Sequence, residues 1–121
     1  MPNGKLVLII EDNENVALAQ KEYLESEHPG IEIMIARDLD EATKCLKIYG
    51  MGLSLIILDA CLQSPKPNSM PLIAEARKCK FDGPIIASSL YAQLLIDAGA
   101  LPAKDKSEAV KLAVQLLANK K

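Results

Sequence analysis

The sequence has no tryptophan, one phenylalanine and three tyrosines among its 121 residues. Single-stranded nucleic acid is bound by stacking bases on aromatic side chains, and no such platform exists here. Positive charge is not in excess either: 14 Lys and Arg stand against 16 Asp and Glu, a net charge of −2. A chain that binds by neutralising phosphates is usually basic, so this balance argues against direct nucleic-acid binding. Apolar stretches such as Leu6–Ile10 and Leu55–Leu58 are far too short to cross a bilayer. Only Lys5 closely precedes the first of them and acids follow at once, unlike a signal peptide. Cys45, Cys61 and Cys79 are odd in number and contain no C-x-x-C pair. That pattern fits reduced core thiols better than disulfides or a zinc site. The single histidine, His28, precedes Pro29-Gly30 and reads as a solvated turn residue. The expectation is a soluble, cytoplasmic protein with one domain over residues 1–121.

Half the residues are apolar and a quarter are charged, which suits a globular domain with its own core. Two periodicities alternate along the chain. Lys5–Ile10, Ile31–Ala36, Leu53–Leu58 and Pro84–Ser88 are short apolar runs of the strand type, and Leu101–Ala103 is a brief fifth. Helical spacing separates them. Between Asn13 and Glu27, Val16, Ala19, Tyr23 and Leu24 fall on one face. Asp38 can cap a helix carrying Leu39, Ala42 and Leu46, ending near Gly50 and Gly52. Pro71 suits the first turn of a third helix running to about Lys80. A short helix over Tyr91–Ala98 is closed by Gly99, and Ser107 can cap a last one carrying Val110, Ala113, Val114 and Leu117. Five βα units of this kind predict an α/β fold, a doubly wound parallel sheet with helices on both faces.

In such sheets the functional site lies beyond the carboxyl ends of the strands. The residues found there are Glu11 and Asp12 after the first run, Asp59 after the third, Ser88 and Ser89 after the fourth, and Lys104 beside the fifth. Clustered carboxylates repel one another unless a cation sits among them, and hard oxygen donors suit Mg²⁺. A cation there could offset charge on a phosphoryl group, an aspartate can be the nucleophile, and a hydroxyl and an ammonium can bind the remaining oxygens. Acids also end strands merely because strand ends reach water. The joint set carries the inference, not any one member.

At these residues the chain resembles the receiver domain of two-component response regulators. Leu6-Val-Leu-Ile-Ile-Glu11-Asp12 is similar to that family's first strand and acidic pair, and Leu55-Ile-Ile-Leu-Asp59 to its phosphoacceptor strand. Pro84-Ile-Ile-Ala-Ser-Ser89 resembles its fourth strand, and Ala98-Gly99-Ala100 with Lys104-Asp105 resembles the segment around its lysine. The resemblance covers essentially the whole chain. It implies a flavodoxin-like sheet of five parallel strands in the order 2-1-3-4-5. It implies that Asp59 accepts a phosphoryl group from a histidine kinase or histidine phosphotransfer protein. Asp12 would bind Mg²⁺ directly, Glu11 through a water, and the Cys61 backbone carbonyl would be a further ligand. Ser89 would bond the phosphoryl group and Lys104 would pair with it. A phosphoryl group of about −1.5 to −2 charges would then bias a two-state surface that binds a downstream protein target. Family members promote their own phosphoryl transfer and slow autodephosphorylation; they are not turnover enzymes in the ordinary sense.

Four features depart from the family pattern. Gln63 stands four residues after Asp59 where a proline is usual, and Asn68-Ser69 replaces an Asp-Gly pair. The fourth helix is short. Pro102 occupies the place of the fifth-strand aromatic through which the family couples to its output. Counting from Gly99 without gaps selects Lys106 as the lysine, whereas the Lys-Asp pair and the short fifth strand favour Lys104. The alternative function is therefore a receiver-fold interaction module with eroded phosphorylation-dependent output. Enzyme readings fit less well. Metal-dependent phosphohydrolases place Asp-x-Asp after the first strand, where this chain has Glu11-Asp12-Asn13, and those acids would also repel a flavin phosphate.

Overall fold

The wholly apolar runs become the strands that are covered on both faces. The computed structural model describes residues 5–88 and 92–119. Its strands are β1 (Leu6–Ile10), β2 (Glu32–Ala36), β3 (Leu55–Leu58), β4 (Ile85–Ala87) and β5 (Leu101–Pro102). They form one parallel sheet in the order β2-β1-β3-β4-β5. The helices are α1 (Glu14–Glu27), α2 (Leu39–Tyr49), α3 (Pro71–Lys78), α4 (Ala92–Asp97) and α5 (Lys106–Asn119).

Alternation along each strand sorts the core into two halves. Leu8, Ile10, Ile56, Leu58, Ile85 and Ala87 face one way and pack with Ala42 and Leu46 of α2, Leu72, Ile73 and Ala76 of α3, and Leu95 of α4. Val7, Ile9, Leu55, Ile57 and Ile86 face the other way, against Ala17 and Leu24 of α1 and Ala109, Val110, Ala113 and Leu117 of α5. Each fully buried Leu or Ile contributes about 1.5–3 kcal/mol, so both layers are needed to hold the central strands.

Helix starts follow local capping chemistry. Asn13 accepts a hydrogen bond from the Val16 amide at 3.1 Å, and Asp38 accepts one from the Glu41 amide at 2.8 Å. Pro71 opens α3 where a missing N–H costs nothing. At α5 the expectation of a Ser107 cap is corrected. Asp105 accepts from the Glu108 amide at 2.8 Å, so the helix begins at Lys106. The Asp105 carboxylate takes the free amide at the helix start, which leaves Ser107 inside the first turn.

The buried face of α1 also differs from its hydrophobic spacing. Ala17, Gln20 and Leu24 are buried, while Tyr23 is 36% exposed and lines a groove with Val16, Ala19 and, from α5, Val110. The small residue Ala17 lets α1 approach the sheet closely, and the bulkier side chains turn toward α5. Strand β5 is two residues long and has Pro102, which cannot donate to a ladder, on the sheet edge. No described helix is long and apolar enough to cross a membrane.

Beyond α2 the chain makes one turn of 3₁₀ helix, Gly50–Gly52, that brings Gly50 against the end of α3. A Cβ on Gly50 would lie 2.7 Å from the Cys79 carbonyl oxygen and 2.9 Å from its Cβ, whereas one on Gly52 would meet nothing within 4 Å. Gly50→Ala is expected to lower stability by about 1–3 kcal/mol in urea unfolding, and Gly52→Ala to change it by less than about 0.5 kcal/mol.

Candidate functional site

The parallel ladder continues one residue past the strands and so aligns the acids. The Glu11 amide donates to the Ala36 carbonyl at 2.9 Å, the Asp59 amide to Ile10 at 3.0 Å, and the Ser88 amide to Leu58 at 3.1 Å. Glu11 and Asp59 are therefore neighbours on the central strands, both buried, with half-buried Asp12 beside them. One carboxylate oxygen from each of Glu11, Asp12 and Asp59 lies within 4.8 Å of the others.

Among the described residues a single ammonium enters this cluster. Lys106 Nζ pairs with Glu11 Oε1 and lies 3.3 Å from Asp59 Oδ2. Lys104 does not come there. It lies in an exposed bend, lining a shallow groove with Pro102, Glu108 and Lys111. The Asp105 cap explains the difference, because it places residue 106 in the first turn of α5, facing α1 and the acids. The preference for Lys104 is thus corrected to Lys106. The gap-free count from Gly99 and the Asp105-x-x-Glu108 capping pattern were the signals that could have selected it.

The β3–α3 loop closes over the acids by side chains that mimic backbone. Asn68 Oδ1 accepts from the Leu62 amide at 2.7 Å and Asn68 Nδ2 donates to the Leu62 carbonyl at 2.8 Å. Ser69 Oγ donates to the Asp59 carbonyl at 2.6 Å. The Gln63 amide donates to Asp12 Oδ2 at 2.7 Å, from a left-handed backbone at φ 55°. Cys61 donates its amide to Asp59 Oδ1 at 3.4 Å. The Asn68-Ser69 pair that departs from the family pattern therefore acts as a brace for the segment carrying Asp59 and Cys61. That role was not read from the sequence, since Asn and Ser in a proline-flanked loop are ordinary turn residues. Ser88 is buried and its hydroxyl donates to the Leu58 carbonyl at 3.3 Å. Ser89 lies outside the described residues, as do Leu90 and Tyr91.

Burial raises the Glu11 carboxyl above its usual 4.5, the Lys106 hydrogen bond opposes that, and the nearby Asp59 charge adds to it. The folded chain then holds this proton to higher pH than the unfolded chain does. Glu11's share of stability is present at low pH and declines as pH rises above 4.5 and through the raised value. Burial likewise raises the thiols of Cys45, Cys61 and Cys79, with Glu41, Asp59 and Glu75 respectively among the further causes. All three are free cysteines. Thiols held neutral in this way are poor nucleophiles, in line with their reading as core residues.

Three carboxylates against one ammonium leave an excess of negative charge that a divalent cation would offset. The donors are hard oxygens from two adjacent strand ends, a set that fits Mg²⁺. Glu11, Asp12 and Asp59 could hold it, with the Cys61 carbonyl on the same loop.

No family model matches the chain, and no curated protein matches it in sequence. Solved structures do match in three dimensions. The receiver domain of the histidine kinase CKI1 from Arabidopsis thaliana, complexed with Mg²⁺, aligns over 98% of this chain and 93% of its own, with TM-score 0.74 and 21% identity. The signal receiver domain of a putative Luxo repressor protein from Vibrio parahaemolyticus covers 94% and 87%, with TM-score 0.72 and 21% identity. A CheY-like response regulator receiver domain protein from Methanospirillum hungatei covers 94% and 90%, with TM-score 0.71 and 23% identity. The chain has the receiver-domain fold, a flavodoxin-like doubly wound sheet in the order 2-1-3-4-5.

Removing the one ammonium from the cluster leaves buried carboxylates facing each other. Lys106→Ala is expected to lower stability by about 1–3 kcal/mol in divalent-free buffer and to recover part of it with Mg²⁺. Lys104→Ala should leave the urea midpoint unchanged. Equal losses in the two variants would contradict the placement of the lysine.

Proposed function

We propose that this chain is a phosphoacceptor signalling domain of a two-component system. The carrying observation is the set of Glu11, Asp12 and Asp59 gathered around Lys106 at the carboxyl edge of a receiver-type sheet. Asp59 is the nucleophile. Its carboxylate oxygen forms a bond to phosphorus while the bond from phosphorus to a histidine nitrogen of the donor breaks, and that nitrogen keeps the electron pair. The donor is a histidine kinase or a histidine phosphotransfer protein.

Glu11, Asp12, Asp59 and the Cys61 carbonyl are the residues that would hold Mg²⁺, which offsets charge on the transferring oxygens. Lys106, already paired with Asp59, supplies the ammonium for the phosphoryl group. Ser89 takes the hydroxyl role that the family pattern assigns to it. The Asn68-Ser69 brace keeps the Asp59 main chain in place while the carboxylate reacts. The chain transfers a phosphoryl group to itself and does not turn over a substrate. Its partners are the donor and a downstream protein target, in the cytoplasm, with no direct contact to nucleic acid or membrane.

One observation favours a second reading, a receiver-fold interaction module without phosphorylation-dependent output. Pro102 stands on β5 where the family has its aromatic, and Leu94 and Leu101 near it are exposed. The two readings part on labelling. The wild type should acquire one acid-labile phosphoryl group in Mg²⁺ from a phosphohistidine donor or a small acyl phosphate, and Asp59→Asn should acquire none while keeping its circular dichroism. Labelling of Asp59→Asn at the wild-type rate would overturn the assignment of the acceptor. A wild type that takes no label would leave the interaction module.

A further inference from the structure

One polar side chain in the seam between α1 and α5 has no explanation in packing. Gln20 sits on the buried face of α1 between Ala17 and Leu24 and is 4% exposed. Its Nε2 donates to the main-chain carbonyl of Lys106 at 3.2 Å. Its Oε1 accepts no hydrogen bond from any described residue. A buried acceptor without a donor is costly, and a methionine of similar length would avoid that cost in a seam otherwise made of Val110, Ala113 and Leu117. The residue that Gln20 holds is the one whose ammonium pairs with Glu11 and Asp59.

We propose that Gln20 is a positioning residue for Lys106. Lysine has a long flexible stem, so the place of its ammonium depends on how firmly its backbone is held. The Asp105 cap sets where α5 begins, but it ties Lys106 to its own helix only. Packing of Ala109, Val110 and Ala113 fixes α5 from the end of its first turn onward, three residues past Lys106. The Gln20 amide joins the first residue of α5 to α1, and α1 follows directly on Glu11-Asp12. One hydrogen bond thus links both sides of the ion pair through rigid helices. It also connects the Asp59 site to the α1–α5 groove lined by Val16, Tyr23 and Val110, away from the β5 edge where Pro102 stands. In its consequence for phosphoryl binding the inference rests on the phosphoacceptor reading; the placement of the ammonium does not.

The test uses the full chain with Gln20→Met, and Gln20→Leu as a second variant. Carbon-13 shifts of the Glu11 and Asp59 carboxyls report the Lys106 pairing, with Lys106→Ala as the unpaired reference. Affinity for beryllofluoride in Mg²⁺, a stand-in for the phosphoryl group on aspartate, reports the consequence. Both variants are expected to move the carboxyl shifts toward those of Lys106→Ala and to weaken beryllofluoride binding about threefold to tenfold. Wild-type carboxyl shifts in both variants would overturn the proposal. A loss of stability with the carboxyl shifts left at their wild-type positions would make Gln20 a packing residue and overturn it equally. A wild type that binds no beryllofluoride would sink the phosphoacceptor reading, while the carboxyl shifts would still decide the role of Gln20.

Discussion

Three carboxylates gathered within 4.8 Å at the edge of an apolar sheet are the constraint from which the rest of the site follows. Two of them are buried, so neither solvent nor salt screens their repulsion well. Among the described residues one ammonium answers them, on Lys106, placed at the first residue of a helix that packs across from the acids. The balance is incomplete. Burial still pushes Glu11 toward its neutral form despite the lysine, and the neighbouring Asp59 charge adds to that push. A fold that only needed to be stable would not gather acids in this way, because apolar or single-charge strand ends would serve it better.

The sheet is what makes the gathering unavoidable. Parallel register aligns Ile10, Leu58 and Ala87, and the next residue of each strand continues the ladder. Glu11, Asp59 and Ser88 are adjacent as a direct result. Around this rigid edge the β3–α3 loop is braced by Asn68 and Ser69, and α5 is tied to α1 through Gln20. The clustered carboxylates and Lys106 are thus held by elements whose own positions come from the two halves of the core. By contrast the β5 edge is short, contains a proline, and leaves Leu94 and Leu101 exposed.

Much of this was legible in the residues themselves. The apolar runs named four strands, the Asp38 cap named a helix start, and the strand ends named Glu11, Asp12 and Asp59. What stayed hidden depended on geometry that spacing does not carry. Lys104 and Lys106 are two residues apart, and only the competition between Asp105 and Ser107 for the α5 cap decides which of them faces the acids. Gln20 reads as a polar helix residue until α5 is docked beside it. The hydrophobic spacing of α1 favoured Val16, Ala19 and Tyr23, yet those residues line a groove between helices and leave Ala17 against the sheet. Asn68 and Ser69 become braces only once the loop has folded back on Leu62 and Asp59.

The acidic edge presents the hard oxygen donors that suit a divalent cation. A Mg²⁺ titration of the wild-type protein, followed by amide and carboxyl NMR, tests it directly. The account predicts saturable one-to-one binding, with the largest shifts at Glu11, Asp12, Asp59 and Cys61, and tighter binding at neutral pH than at pH near 4.5, where Glu11 keeps its proton. Shifts that are absent, or that are scattered over surface acids such as Glu25 and Glu32 without saturation, would contradict it.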